Sequence, residues 1–129
     1  MTREHIIYVG EAYTVEWYFD SSGKSPALNY YRSLTETERF KVINLFKRMG
    51  DRGDIKDKTK FNYEGDQLYA FKPKPDRFLC FFYIGKKIIL TNAFRKKQQK
   101  LPPNEKLKAQ KIKTDYETRV RKGEYYDET

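Results

Sequence analysis

The chain has 129 residues, 35% of them charged and 16% aromatic, with 27 Lys/Arg against 18 Asp/Glu and a formal net charge of +9. That is one domain's length with aromatic bulk for one core, which argues against disorder and against a multidomain protein. A lone cysteine, Cys80, excludes an intrachain disulfide, and no apolar run approaches the roughly 20 residues that span a bilayer.

The start, MTREHIIYVG, is charged and its apolar stretch is too short for a signal peptide. The expected setting is a soluble protein of a reducing compartment, the cytoplasm. The alternation of Tyr13, Val15, Trp17 and Phe19 with Thr14, Glu16 and Tyr18 predicts a first strand over 12–19, ended by Asp20-Ser-Ser-Gly23. Ser25-Pro26 then suits a helix start, because the Ser hydroxyl caps and the proline's missing N–H costs nothing in the first turn. This helix is expected to reach about Leu34. Thr35 and Glu38 form a capping-box pattern ahead of a second helix with the apolar stripe Val42, Ile43, Phe46 and Met49, expected to stop at Gly50.

Residues 51–66 are polar without a clear period and are expected to be a loop. Asp51, Asp54 and Asp57 within it read as solvated turn residues rather than metal ligands. Three strand signals follow: 68–72, the turn Pro73-Lys-Pro-Asp76, 78–84, the turn Gly85-Lys86, and 87–94. The middle strand is apolar on both faces, as a central strand covered on both sides must be. Cys80 lies in that strand and is expected to act as a small buried hydrophobe. A last helix from Pro103 to about Lys122 carries a narrow apolar stripe of Ala109, Ile112, Tyr116 and Val120, ends at Gly123, and leaves 123–129 as a flexible tail. The expectation is thus a single α+β domain over 1–122. Its order is β-α-α-β-β-β-α, with a small, mostly antiparallel twisted sheet, an N-terminal helical hairpin and a basic C-terminal helix.

The charge is concentrated. Residues 95–122 hold 11 Lys/Arg against three acids, leaving 16 of the 27 cations to face 15 of the 18 acids elsewhere. Such a segment is the footprint of a polyanion, RNA or DNA first and an acidic protein second. Strand ends decide which cations meet. Lys72 closes the first meander strand, Arg77 opens the second, and Arg95, Lys96 and Lys97 follow the third, so an antiparallel order brings all of them to one edge. Charge at a sheet edge also blunts aggregation, the competing explanation for it.

Three segments, "SGKSPALNYYRSL" (22–34), "GDQLYAFKPKPDRFLCFFYIGKKIILTNAF" (65–94) and "FRKKQQKLPPNEKLKA" (94–109), together resemble the RelE/HigB toxin superfamily, in particular its phage-derived Gp49-like branch. The resemblance implies a RelE-like fold. It also implies the toxin of a toxin-antitoxin pair, an endoribonuclease that cuts mRNA on the ribosome or free, held inactive by a cognate antitoxin protein. Arg77 matches the family's phosphate-contacting arginine after the turn, Lys97 its later basic position, Lys96 the basic neighbour and Lys72 a basic position of the strand motif. Leu68 and Ala70 stand where better-known relatives carry lysines, and Leu101-Pro-Pro-Asn104 where they carry a stacking tyrosine.

Cleavage by 2′-OH attack on the adjacent phosphate needs a base, an acid and cations for the phosphorane. His5 is the sole histidine and lies before the first strand, so a two-histidine pair is excluded by counting. That leaves a Lys/Arg-based site, with Arg77, Lys97, Lys96 and Lys72 as the catalytic candidates. A lysine in a dense cluster loses pKa by like-charge repulsion and an arginine clamps phosphate bidentately. Arg95, Lys100 and Lys74 are candidate RNA-backbone contacts, and Tyr63 a candidate stacking ring. No metal, cofactor or membrane association is expected. A non-catalytic RNA- or ribosome-binding module on the same fold is the alternative.

Overall fold

The computed structural model describes residues 5–126. Its elements are β1 (Ile6–Val9), β2 (Thr14–Trp17), α1 (Pro26–Arg32), α2 (Glu36–Arg52), β3 (Phe61–Gly65), β4 (Leu68–Phe71), β5 (Asp76–Tyr83), β6 (Lys87–Arg95) and α3 (Pro103–Arg121). One six-stranded sheet runs in the order β1-β2-β6-β5-β4-β3. Only the β2–β6 pairing is parallel; the others are antiparallel.

The architecture is three layers: helical hairpin, sheet, helix. On one face Val15, Trp17, Phe71, Phe78, Ile88 and Leu90 pack against Leu28 of α1 and Val42, Phe46 and Met49 of α2. On the other, Leu68, Ala70, Leu79, Phe81 and Ile89 pack under Ala109 and Tyr116 of α3. Strand alternation sends successive side chains into the two cores in turn, which is why Phe78–Phe82 of β5 and Ile88–Leu90 of β6 are unbroken apolar runs. Cys80 is fully buried between Leu79 and Phe81, and burial pushes its thiol pKa up, away from reactivity. No helix among the described residues is long and apolar enough to cross a membrane.

The helix starts follow the expected chemistry. Ser25 caps α1 by accepting from the Leu28 N–H at 3.4 Å. Thr35 and Glu38 complete a reciprocal capping box, with Thr35 N–H to Glu38 Oε1 at 2.8 Å and Glu38 N–H to Thr35 Oγ1 at 3.2 Å.

Four expectations need correction. The sheet holds two strands more than the expected four. β1 comes from the N-terminal stretch and pairs with β2 at the sheet's edge, helped by Trp17 N–H donating to the His5 carbonyl at 2.7 Å. β3 comes from the supposed loop 51–66 and pairs with β4. Its hairpin turns at Asp66 and Gln67, both with φ in the left-handed region (53° and 67°). Such two-residue turns usually carry Asn-Gly or Asp-Gly, so Asp-Gln hides the signal.

Third, α2 does not stop at Gly50 but runs two residues further, capped by Gly53 at φ 81°. Gly50 is a packing position: a Cβ there would meet the Tyr8 ring at 3.0 Å and the Tyr13 carbonyl at 3.3 Å. The Gly50 carbonyl accepts from the N–H groups of Ala12 and Tyr13 at 2.7 and 2.9 Å, tying the β1–β2 turn to the helix end.

Fourth, the expected tail from Gly123 does not begin there. Tyr125 is buried, with its hydroxyl accepting from Phe19 N–H at 2.9 Å. The Tyr126 hydroxyl donates to the buried Glu16 at 2.7 Å. His5 is no plain surface residue either: its ring lies 5.4 Å from that of Tyr126 and 6.3 Å from that of Tyr125. The last three residues of the expected tail, 127–129, lie outside the described residues.

Candidate functional site

The basic site forms where three strand ends converge. Tyr30 of α1 hydrogen-bonds the carboxylate of Asp76, the first residue of β5, which is 1% exposed. That anchors the strand's start beneath α1 and sends the next side chain, Arg77, to the opposite face. Arg77 pairs across with Phe94, and its guanidinium donates to the Asp76 carbonyl at 2.9 Å. On β4, Leu68 and Ala70 face α3, so Lys72, just past the strand, falls on that face too. Lys96 is held by its N–H donating to the Pro75 carbonyl at 2.9 Å, while its ammonium donates to Gln99 Oε1 at 2.9 Å.

The approach to α3 closes the top. Asn92 of β6, buried, donates to the Glu105 carbonyl and to its Oε1 at 3.2 and 3.1 Å. This clamps the first turn of α3 on the sheet and leaves Gln98–Pro102 over the groove. Lys72, Arg77, Lys96, Lys100 and Glu64 line a small cleft under that segment. Beside it, Lys72, Lys74, Arg77 and Lys96 line a wider groove of about 380 Å³ together with Asn62 and Gln99.

The electrostatics follow from the crowding. Partial burial, and then repulsion from Arg77 and Lys96, hold the Lys72 ammonium below the ordinary lysine pKa, against the pull of Glu64. Partial burial also lowers the Arg77 guanidinium, opposed by Glu64 and Asp76. Burial is thus the leading cause at Lys72, ahead of the like-charge repulsion expected from the sequence. A carboxylate, a lysine of lowered pKa and three further cations around one cleft are a set able to bind a phosphodiester and to move protons beside it.

Of the candidates, Lys72, Arg77, Lys96, Lys74 and Lys100 come together here. Lys97 does not: it is exposed and lines neither groove. Arg95 points to the other face, where its charge reaches Tyr30 and Glu38. Tyr63 pairs with Tyr69 on the face of Phe61 and Phe82, with ring centroids 5.0 Å apart, away from Arg77. The neighbouring positions Asn62 and Glu64 face the grooves instead. Both were hidden with β3, although Phe61-Asn-Tyr63-Glu64 carries the alternation that would have revealed them. Elsewhere on α3 the cations are partly neutralised: Lys106 pairs with Asp66 at 2.9 Å, Lys113 with Glu117 at 2.8 Å and Arg119 with Asp115 at 2.8 Å.

The fold is thus a mixed α+β domain whose converging strand ends carry a cationic cleft, complementary in charge to a polyanion. The particular family follows from comparison. The model of the phage-derived protein Gp49-like family (DUF891) matches residues 29–114, more than half of the chain, and the chain belongs to that family, which is the RelE/HigB-like toxin branch. The match runs from within α1 through α2 and the strands β3 to β6 to most of α3, so it contains the whole groove. Membership places the protein with toxin-antitoxin toxins and implies an antitoxin partner. Comparison with curated proteins gives no match.

Proposed function

We propose that the protein is an endoribonuclease toxin that cuts mRNA, on the ribosome, through the groove of Lys72, Arg77 and Lys96. The observation that carries this is the meeting of those three cations with a single carboxylate, Glu64, at one cleft. In the proposed reaction the Glu64 carboxylate takes the proton of the 2′-hydroxyl. The 2′-oxygen forms a bond to the adjacent phosphorus and the bond from phosphorus to the 5′-oxygen breaks. The Lys72 ammonium, its proton loosened by burial, gives that proton to the leaving 5′-oxygen. Arg77 and Lys96 take up the charge of the phosphorane. The products are a 2′,3′-cyclic phosphate and a 5′-hydroxyl. No step needs a metal or cofactor.

The test is primer extension on a defined mRNA incubated with translating ribosomes and purified protein, with Arg77→Ala alongside. New discrete 5′ ends made by the wild type and reduced about 10²-fold or more in the variant are expected, the scale of losing one donor to a developing oxyanion. Absence of new ends, where a known ribosome-dependent toxin cuts, would transfer the groove to a non-catalytic RNA-binding role.

A further inference from the structure

The charge of the sequence sits in 95–122, yet the fold assembles a second cationic surface from residues outside that segment. Lys41 and Arg48 of α2 lie one above the other on an exposed helix face with Asn44 between them. Lys60, in the turn just before β3, and Lys74, in the β4–β5 turn, face them across a groove of about 380 Å³ that no acidic side chain lines. On the β3 side Asp57 feels the charges of Lys60 and Lys74. It accepts from the Thr59 hydroxyl and N–H, and these bonds, with the charges of Lys60 and Lys74 behind them, hold its pKa below the ordinary range. Lys72, Lys74 and Thr59 line both this groove and the Arg77 groove, so the two are continuous around the end of the sheet.

We propose that the α2 groove, lined by Lys41, Arg48, Lys60 and Lys74, holds the sugar-phosphate backbone of single-stranded substrate RNA beyond the cleavage point. The strand leaves Arg77, crosses the Lys72-Pro73-Lys74 turn and continues onto α2. This rests on the endoribonuclease reading and adds the course of the strand. The grounds are charge complementarity, the lack of acidic lining and continuity with the cleft. Single strand rather than duplex is favoured because the course bends around the end of a sheet, which a stiff duplex follows poorly.

The test uses the full-length protein and 2′-O-methyl oligonucleotides, which 2′-OH attack cannot cut. Affinity is measured against salt for single strands of roughly 4 and roughly 16 nucleotides and for a duplex of the longer length. The triple variant Lys41→Ala/Arg48→Ala/Lys60→Ala removes three exposed side chains with no core contact. Expected is at least a tenfold loss for the long single strand, a salt slope shallower by about 2 from the loss of three phosphate contacts, and little change for the short strand. An unchanged long-strand affinity and slope would overturn the proposal. So would a loss confined to the duplex, which would make the surface a site for structured RNA. A wild type that binds the long strand as expected but cuts no mRNA would sink the nuclease reading and leave the track in place.

Discussion

Lys72 and Lys97 show what decides a lysine's chemistry. Both lie in basic surroundings, yet Lys72 is half-buried against Arg77 and Lys96 while Lys97 projects into water. Desolvation penalises the charged form of Lys72. On the proposed mechanism Lys72 acts as the ammonium, so cleavage holds below its pKa and is lost as pH rises through it. Because that pKa is lowered, the alkaline limb of the pH–rate profile should lie below the ordinary lysine value. Lys72→Arg keeps the charge but gives up no proton, so kcat should fall about 10²–10⁴-fold with the alkaline limb gone. A variant that retains both rate and limb would remove Lys72 as the acid. Lys97→Ala, by contrast, should leave the cleavage rate within a few-fold of wild type, a difference the same assay resolves.

Among the elements, the helices declare themselves through their ends and the edge strands do not. The Thr35/Glu38 box is local chemistry: four consecutive residues satisfy two N–H groups wherever that helix packs. Thr35→Ala should cost about 1 kcal/mol, seen as a lower urea midpoint at unchanged m-value. β1 and β3 are four and five residues long and each has one strand partner, so neither needs a long apolar run to exist. Glu64 escaped notice as a site residue because its direction depends on β3 being a strand, and the four-residue alternation over Phe61–Glu64 is the one local signal for it. Gly50 is the converse case, a residue that terminates helices elsewhere but here makes room for Tyr8 against a continuing helix.

At the scale of the whole molecule, the sheet separates two jobs. One face binds the helical hairpin, the other binds α3, and the cationic cleft forms at the end where α3 leaves the strands uncovered. The C-terminal segment is part of this arrangement. Tyr125 packs on Tyr116 with centroids 4.7 Å apart, and Tyr126 covers Glu16, which has Lys87 as a further partner at 3.9 Å. Removing the chain after Gly123 should therefore destabilise the domain by about 3 kcal/mol or more, the scale of deleting a large buried aromatic. Chemical denaturation of the truncated chain measures it, and an unchanged midpoint would mean that the two tyrosines contribute nothing.

Periodicity and capping chemistry act over a few residues, so the sequence alone determined the two hairpin helices, the meander, the basic last helix and the two-faced apolar character of β5. Strand ends also sufficed to bring Lys72, Arg77 and Lys96 to one edge, because antiparallel order follows from short turns. What needed the tertiary structure was everything set by contacts distant in sequence. These are the pairing that makes β1 and β3 strands, the face given to Tyr63 and Arg95, the burial that lowers Lys72, and the docking of Tyr125. The second cationic groove belongs with them. Lys41, Arg48, Lys60 and Lys74 are scattered among acids along the chain, and only packing α2 beside the β4–β5 turn makes them neighbours, since charge density is a property of a surface and not of a segment.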